Sequence, residues 1–284
     1  MFKSTCLAAC LSLLIFYSCN GPASSSTANS SVVDNWEIGI QMWSFRMFTL
    51  EEALKKADSA GVRVIEAYPG QRIGAGLEES FGITMSADAK AKLKELLQQH
   101  NISIRAMGVI SPTTREEWQK VFELAKEFNM SYITSEPRKN LWDMIDSLAG
   151  QNNIRVAIHE HGRPNPYWHP DSVLAAIKNH PNIGACADLG HWARSGLEPV
   201  DCLKKLEGYV WGVHLKDIQT FNDTRAADTP VGKGVLNFPA IFQELHRQQF
   251  KGMLSIEQES NWYYSLPDIT NTVKYYKEET AKLR

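Results

Sequence analysis

The sequence lacks any excess of positive charge. Its 284 residues include 30 lysines and arginines against 32 aspartates and glutamates, so the formal net charge is -2 at pH 7. No basic or acidic tail stands out along the chain. Because proteins that bind nucleic acid present clustered lysines and arginines to the phosphates, this composition argues against a nucleic-acid partner.

Cysteine is also scarce. The chain has five cysteines, of which Cys6 and Cys10 fall in the apolar N-terminal segment and Cys19 follows it. Only Cys186 and Cys202 remain, which is too few for a disulfide-rich scaffold or a thiolate zinc cage. A disulfide between these two is compatible with an oxidising compartment, but one lies in a predicted strand and the other in a predicted helix. We therefore expect two buried thiols.

Long apolar runs are missing as well. The one candidate, residues 6–17, is too short to span a membrane but has the length and position of an export signal. Ser18 and Cys19 then precede the low-complexity stretch GPASSSTANSS. This arrangement resembles a bacterial lipoprotein signal in which Cys19 is the lipidated residue.

The N-terminal pattern predicts three parts of the chain. These are a signal peptide over residues 1–19, a flexible tether over 20–35 and one folded domain over 36–284. We expect an exported protein, held in the bacterial cell envelope by a lipid on Cys19 and facing the periplasm or the cell surface. Contact with the membrane would be through that anchor alone, and ordinary cleavage with release is the alternative.

Residues 36–284 alternate between strand-like and helix-like segments. Apolar segments of strand length lie over 37–43, 62–67, 103–109, 131–135, 155–159, 183–188, 210–216 and 252–257. Segments with helical periodicity lie over 50–60, 87–100, 115–128, 141–149, 171–179, 199–206, 238–248 and 269–283. Eight such pairs predict an α/β protein with a single (β/α)₈ TIM barrel. The alternative, a doubly wound sheet, lacks a GxGxxG fingerprint, since only Gly74-Ala75-Gly76 comes close.

Polar residues close the last four predicted strands. His159 ends the fifth, Asp188 the sixth, His214 the seventh and Glu257 the eighth. Side chains alternate faces along a strand, so these four can converge near the barrel axis at the C-terminal rim. A single histidine or aspartate at a strand end is more often a core residue or a helix cap, but four in succession favour a metal site. Mixed nitrogen and oxygen ligands suit Mn²⁺, Zn²⁺, Co²⁺ or Fe²⁺.

Several motifs carry a resemblance to a known family. They are EIGIQMWSFR, VAIHEHG, IGACADLGHWARSG, VWGVHLKD, VGKGVLNF and LSIEQE. Over residues 36–284 the sequence resembles the xylose isomerase-like barrels of the sugar phosphate isomerase/epimerase superfamily. The resemblance implies one divalent metal, with the four strand-end residues as its ligands. It also implies that His191 of the Asp-x-x-His motif contacts substrate. The superfamily includes epimerases, isomerases, dehydratases and an abasic-site endonuclease branch, so it does not specify the substrate.

The sequence departs from this family at one ligand. The ketose 3-epimerases resemble one another in having glutamate at the position of His159, where two ligand glutamates act as bases on opposite faces of the sugar. A metal-bound imidazole has no free lone pair for a proton. The two-glutamate reaction therefore needs a replacement base, for which Glu66, Glu136 and Glu160 are candidates.

The expected chemistry is removal of a proton next to a ketone by a metal-dependent sugar enzyme. Glu257 or Glu66 would be the base, and His191 would assist. Return of the proton to the other face gives epimerisation or isomerisation. Loss of a β-substituent instead gives elimination, as in a 3-keto-glycoside lyase or hydratase. A non-catalytic carbohydrate-binding lipoprotein is the alternative from another class.

The substrate is expected to be a small sugar or glycoside, and the sequence leaves the oligomeric state open. Candidate substrate-binding residues lie at strand ends or in the following loops: His161, Lys216, Trp43, Trp192 and Lys233. Lys216 has an alternative partner in Asp217, next to it in the chain. Lys233 belongs to a Gly-Lys-Gly stretch whose composition fits either a mobile cover over the site or a plain solvent-exposed loop.

Overall fold

Eight parallel strands close into a barrel in the computed structural model, which describes residues 1–2 and 31–284. The strands are β1 (Glu37–Gln41), β2 (Val64–Ala67), β3 (Ser103–Ile110), β4 (Tyr132–Ser135), β5 (Arg155–His159), β6 (Ile183–Asp188), β7 (Val210–Leu215) and β8 (Met253–Ile256). Each strand pairs in parallel with the next, and β8 pairs with β1 to close the ring. The predicted single TIM barrel is confirmed. The predicted signal peptide, Cys19 and residues 20–30 of the predicted tether lie outside the described residues.

Helices alternate with the strands around the outside of the barrel. They are α1 (Leu50–Ser59), α2 (Ala87–His100), α3 (Arg115–Glu127), α4 (Trp142–Asn152), α5 (Pro170–Ile177), α6 (Leu189–Arg194), α7 (Pro199–Lys205), α8 (Phe238–Arg247) and α9 (Leu266–Thr280). Helices α1 and α3 begin with capping boxes, in which Thr49 pairs with Glu52 and Thr114 with Glu117. Within the described ranges, no helix is both long and apolar enough to cross a membrane.

Two apolar layers support the barrel. The larger fills the space between strands and helices, and a smaller one fills the inside of the barrel. The inner layer consists of Val64, Ala106, Tyr132, Ala157, Cys186 and Met253. Space inside is limited: a Cβ added to Gly212 would lie 2.7 Å from the Tyr132 hydroxyl oxygen. This packed layer forms the floor on which the polar strand ends rest.

Both remaining cysteines are buried and unbonded, as expected from the sequence. Cys186 lies inside the barrel and Cys202 lies in α7. Burial raises the pKa of Cys186 to about 11 and that of Cys202 to about 12. Because the thiolate is the reactive form, both side chains act as small apolar groups of the core.

The packed body begins at Ser31 and so includes residues 31–35, which were predicted as tether. These residues form a 3₁₀ helix over Val32–Asn35, and the Val33 side chain is only 2% exposed. The Ser31 hydroxyl donates to the Leu283 carbonyl at 3.3 Å, which ties the segment to the C-terminus. Burial of two adjacent valines explains why residues 31–35 pack with the barrel.

Removing residues 31–35 should destabilise the barrel. A protein that begins at residue 36 loses the burial of Val32 and Val33, so its free energy of unfolding should fall by about 3 kcal/mol relative to one that begins at residue 31. Chemical denaturation of the two truncated proteins measures the difference, with the full chain as control. Equal unfolding midpoints for both would show that this segment contributes no packing energy.

Candidate metal centre

The four predicted ligands meet at the C-terminal end of the barrel. His159 and Asp188 are the last residues of β5 and β6, His214 lies in β7, and Glu257 directly follows β8. One potential ligand atom from each of the four residues lies within 4.8 Å of all the others, and all four residues are buried. The strand register explains part of this convergence, because Asp188 lies directly opposite His214 in the pairing of β6 with β7.

The polar atoms at this centre fit a divalent cation. The buried atoms His159 Nε2, Asp188 Oδ2, His214 Nδ1 and Glu257 Oε2 make no hydrogen bond of good geometry within the described part of the chain. A buried polar atom without a hydrogen bond costs about 1–3 kcal/mol, so a cation bound by all four atoms would stabilise this end of the barrel. Two nitrogens and two carboxylate oxygens match the ligands that Mn²⁺, Zn²⁺, Co²⁺ or Fe²⁺ accept.

A carboxylate holds the other nitrogen of each ligand histidine. His214 Nε2 lies 2.9 Å from Glu66 Oε2, which also accepts from the Ser255 hydroxyl at 3.0 Å. His159 Nδ1 lies 2.8 Å from Glu136 Oε1. Such partners fix the tautomer and orientation of the ring and raise the basicity of a ligand imidazole.

Both supporting carboxylates are ionised. Burial favours the neutral acid, but the histidine beside each one outweighs it, so the pKa values of Glu66 and Glu136 lie below their usual range. Glu66 lies behind His214 and does not line the cavity described next. Its position suits it to orient a ligand, whereas the sequence suggested it as a base.

A cavity of about 210 Å³ opens beside the four ligands. Its wall is formed by Gln41, Trp43, Tyr68, Gly108, Val109, Glu136, His159, His161, His191, Glu257 and Glu259. Three glutamates and three histidines therefore face a small space next to the proposed metal centre. Of the predicted substrate-binding residues, Trp43 and His161 line this space.

Asp188 also places His191 at the cavity. Its second oxygen, Oδ1, accepts from the His191 backbone N–H at 2.8 Å and so caps the N-terminus of α6. The His191 ring packs against that of His161, with ring centroids 4.1 Å apart and the ring planes tilted by 33°. Burial and the adjacent Lys216 ammonium hold the pKa of His191 well below its usual range, so its imidazole is neutral.

Lys216 is a buried cation in contact with three carboxylates. Its Nζ lies 3.1 Å from Asp188 Oδ2, 3.1 Å from Glu257 Oε2 and 2.8 Å from Glu259 Oε2. Burial alone would lower the pKa of this amine, but the three carboxylates raise it well above its usual range. Lys216 is therefore an ammonium group beneath the cavity.

Asp217, the alternative partner of Lys216 in the sequence, has a different role. Its carboxylate accepts backbone N–H groups from Ile218, Gly232, Gly234 and Leu236 at 2.9–3.2 Å. A Cβ added to Gly234 would lie 2.2 Å from Asp217 Oδ1, so the close approach of the loop depends on that glycine. The predicted cover is thus fastened to the end of β7.

Two polar residues that line the cavity were missed in the sequence, Glu259 and Gln41. Glu259 Oε1 accepts from Trp43 Nε1 at 3.2 Å, and the Lys216 ammonium outweighs burial to hold the pKa of Glu259 far below its usual range. The motif LSIEQE did contain a signal, since residues two apart in extended chain share a face, as Glu257 and Glu259 do. Gln41, the last residue of β1, binds the backbone of Trp43 and Gly108.

Three predicted substrate contacts, Lys216, Trp192 and Lys233, do not line the cavity, and Lys216 is buried beneath it. Trp192 is fully buried, because the cap at Asp188 turns α6 so that His191 faces the cavity and Trp192 faces the packed layer. Lys233 is exposed in the loop that Asp217 fastens and does not line the cavity. Glu160, a candidate replacement base, is also fully buried, and burial raises its pKa well above the usual range.

Comparison with known proteins shows which family this chain belongs to. A family model described as xylose isomerase-like TIM barrel matches residues 54–284. The chain belongs to this family. Its expected membership in this group of barrels is therefore confirmed.

Individual similar proteins show how far the likeness extends. An inosose dehydratase from Mesomycoplasma hyopneumoniae (strain 7448) is 23% identical over 208 residues, covering 66% of this chain and 68% of that protein. An uncharacterised protein from Parabacteroides distasonis ATCC 8503 is 34% identical, with a TM-score of 0.70 over 86% of this chain and 99% of that one. A structure of L-ribulose 3-epimerase has a TM-score of 0.66 at 15% identity, covering 87% and 95% of the two chains, and so shares the fold.

Replacing Asp188 should abolish metal binding without unfolding the barrel. The variant Asp188→Ala removes a ligand oxygen and the cap of α6, which costs about 1 kcal/mol of stability. Metal content per chain by mass spectrometry and folding by circular dichroism provide the two readouts. The variant Asp188→Asn is the control for capping, because asparagine caps equally well but carries no charge. Full metal content in Asp188→Ala would contradict the assignment of this centre.

Loss of charge behind either histidine should weaken the metal site. Glu66→Gln and Glu136→Gln keep the side-chain shape but remove the carboxylate partner of His214 or His159. We expect metal affinity to fall by about 10- to 100-fold in each variant. Isothermal titration with Mn²⁺ or Zn²⁺ measures the change, with Glu37→Gln at the opposite end of the barrel as control. Unchanged affinity in both variants would show that these carboxylates do not support the ligands.

Proposed function

We propose that this protein is a divalent-metal-dependent lyase that eliminates a β-substituent from a small polyhydroxylated ketone. One observation carries the choice of elimination over two-base epimerisation. Both nitrogens of His159 are engaged, Nδ1 with Glu136 and Nε2 facing the ligand cluster. A base on the face opposite Glu257 is therefore missing from the ligand set, whereas elimination needs only one base and one acid.

Glu257 is the best candidate for the base. Of the three cavity glutamates, Glu136 is bonded to His159 and Asn165, and Glu259 to Lys216 and Trp43. The Glu257 side chain makes no hydrogen bond within the described ranges, although its Oε2 lies near His214 and Lys216. Its carboxylate is thus the least committed of the three.

Each of the following residues at the cavity has a role in the proposed reaction. His159, Asp188, His214 and Glu257 would hold the metal, which when bound supplies a Lewis acid for the ketone oxygen and makes the adjacent C–H acidic. Glu257 takes that proton, the new C=C forms, and the C–O bond at the β position breaks. His161, at the cavity mouth, donates a proton to the departing oxygen. Neutral His191 binds a substrate hydroxyl.

The substrate class follows from the size and wall of the cavity. About 210 Å³ suits a single six-membered ring, and the indole of Trp43 and the ring of Tyr68 supply an aromatic wall with hydroxyl-binding groups opposite. The relative named inosose dehydratase supports a cyclic polyol ketone as substrate. Export would favour a 3-keto-glycoside, from which the same step releases the group at C1.

Turnover in D₂O, followed by NMR, tests the reaction. The metal-loaded protein should convert 2-keto-myo-inositol or a 3-keto-glucoside to an unsaturated ketone with loss of water or of the aglycone. Deuterium gain next to the ketone without bond cleavage would identify an epimerase or isomerase instead. Binding without exchange or cleavage would support the carbohydrate-binding alternative. Glu257→Gln should slow elimination by about 100-fold or more, with metal content measured in parallel.

We also propose that Cys19 anchors the protein to the cell envelope. In cells fed a labelled fatty acid, the wild-type protein should carry the label and sediment with membranes. Cys19→Ser should lose the label and become released, because no other thiol is available in that segment after cleavage. Labelling of the Cys19→Ser variant would contradict the assignment.

A further inference from the structure

We propose that Lys216 is an internal cation that occupies the ligand set of the metal-free protein and competes with the metal for it. This inference rests on the metal centre described above. When a divalent ion binds, the ammonium group gives up its contacts with Asp188 and Glu257 and keeps its contact with Glu259. Lys216 then stabilises the metal-free barrel and lowers its affinity for the ion.

The contacts of Lys216 are shared between two kinds of partner. Asp188 Oδ2 and Glu257 Oε2, each 3.1 Å from Nζ, are the carboxylate atoms of the ligand set. Glu259 Oε2, at 2.8 Å, does not belong to that set. Of the three carboxylates that contact the ammonium, a metal would therefore require two and leave one free.

The path of the side chain to this position is built into the fold. The Lys216 side chain is fully buried, and its stem passes directly over Gly190 in α6. A Cβ added to Gly190 would lie 2.5 Å from Lys216 Cγ and 2.8 Å from Cδ. Gly190 of the Asp-Leu-Gly-His motif thus leaves room for this lysine between the helix and the ligands.

Charge explains why such a cation is needed. Without a cation, Asp188 and Glu257 would be like charges close together in a buried site, where screening by water is weak. A single ammonium neutralises part of that charge. A divalent ion bound to the same two oxygens would repel the ammonium and displace it. The loss of the contacts between Lys216 and these oxygens would then make metal binding less favourable.

Replacing the ammonium by a neutral side chain of similar length tests the competition. In Lys216→Met, we expect the dissociation constant for Mn²⁺ or Zn²⁺ to fall by about ten-fold or more. The metal-free variant should unfold at a lower temperature than the metal-free wild type, and added metal should raise that temperature more than in the wild type. Lys251→Met, an exposed lysine at the opposite end of the barrel, is the control and should change neither value.

A double-mutant cycle tests the exchange of partners and does not depend on a single variant. Glu259→Gln removes the negative charge that retains Lys216, so metal affinity should fall several-fold when Lys216 is present. In the Lys216→Met background the same change should have little effect. Additive effects of the two substitutions would overturn the proposed exchange.

The outcomes separate this inference from the metal centre. Equal or weaker metal binding by Lys216→Met, with normal binding by the wild type, overturns the competition and leaves the centre intact. Binding by Lys216→Met alone supports the competition in its strongest form. If neither protein binds metal, the centre and this inference fail together. Gly190→Ala, which crowds the stem of Lys216, provides a second probe and should shift metal affinity in the same direction as Lys216→Met.

Discussion

The site depends on one physical constraint: the negative charge buried at one end of the barrel must be balanced by positive charge. Asp188 and Glu66 are fully buried and Glu257 nearly so, around two histidines and one lysine. Ionised groups can be buried at such density only with partners of opposite charge. The inner apolar layer holds these residues at the strand ends, and the strand register holds Asp188 opposite His214. A divalent ion would complete this compensation for four buried atoms that make no hydrogen bond within the described residues.

The same arrangement determines which chemistry the cavity supports. Each ligand histidine is fixed from behind by a carboxylate, so neither imidazole is free to act as a base. Glu257 faces the cavity with no side-chain hydrogen bond within the described residues, while Glu136 and Glu259 already hold other groups. Because only one of the three neighbouring glutamates has a side chain without hydrogen bonds to the described residues, the arrangement favours a reaction with one base. The proposed elimination next to a ketone meets that condition.

Much of this could be predicted from the sequence, because the relevant signals are local. Alternating strand and helix patterns predicted eight barrel units, and the polar residue closing each late strand predicted the ligand set. Contacts across the barrel could not be predicted in this way. Glu66 and His214 are 148 positions apart, so the role of Glu66 behind His214 depends on closure of the barrel. The orientation of Trp192 depends on a six-residue helix that is too short to show periodicity in the sequence. The burial of Val32 and Val33 could not be predicted either, because these two residues directly follow a low-complexity stretch.

The central claim is that four side chains from consecutive late strands bind one metal ion. Anomalous diffraction from crystals grown with Mn²⁺ or Zn²⁺ tests it directly. We expect one strong anomalous peak per chain at the end of the barrel, with His159 Nε2, Asp188 Oδ2, His214 Nδ1 and Glu257 Oε2 at about 2.0–2.2 Å from it. A peak elsewhere, or none at this position in crystals soaked with excess metal, would contradict the claim.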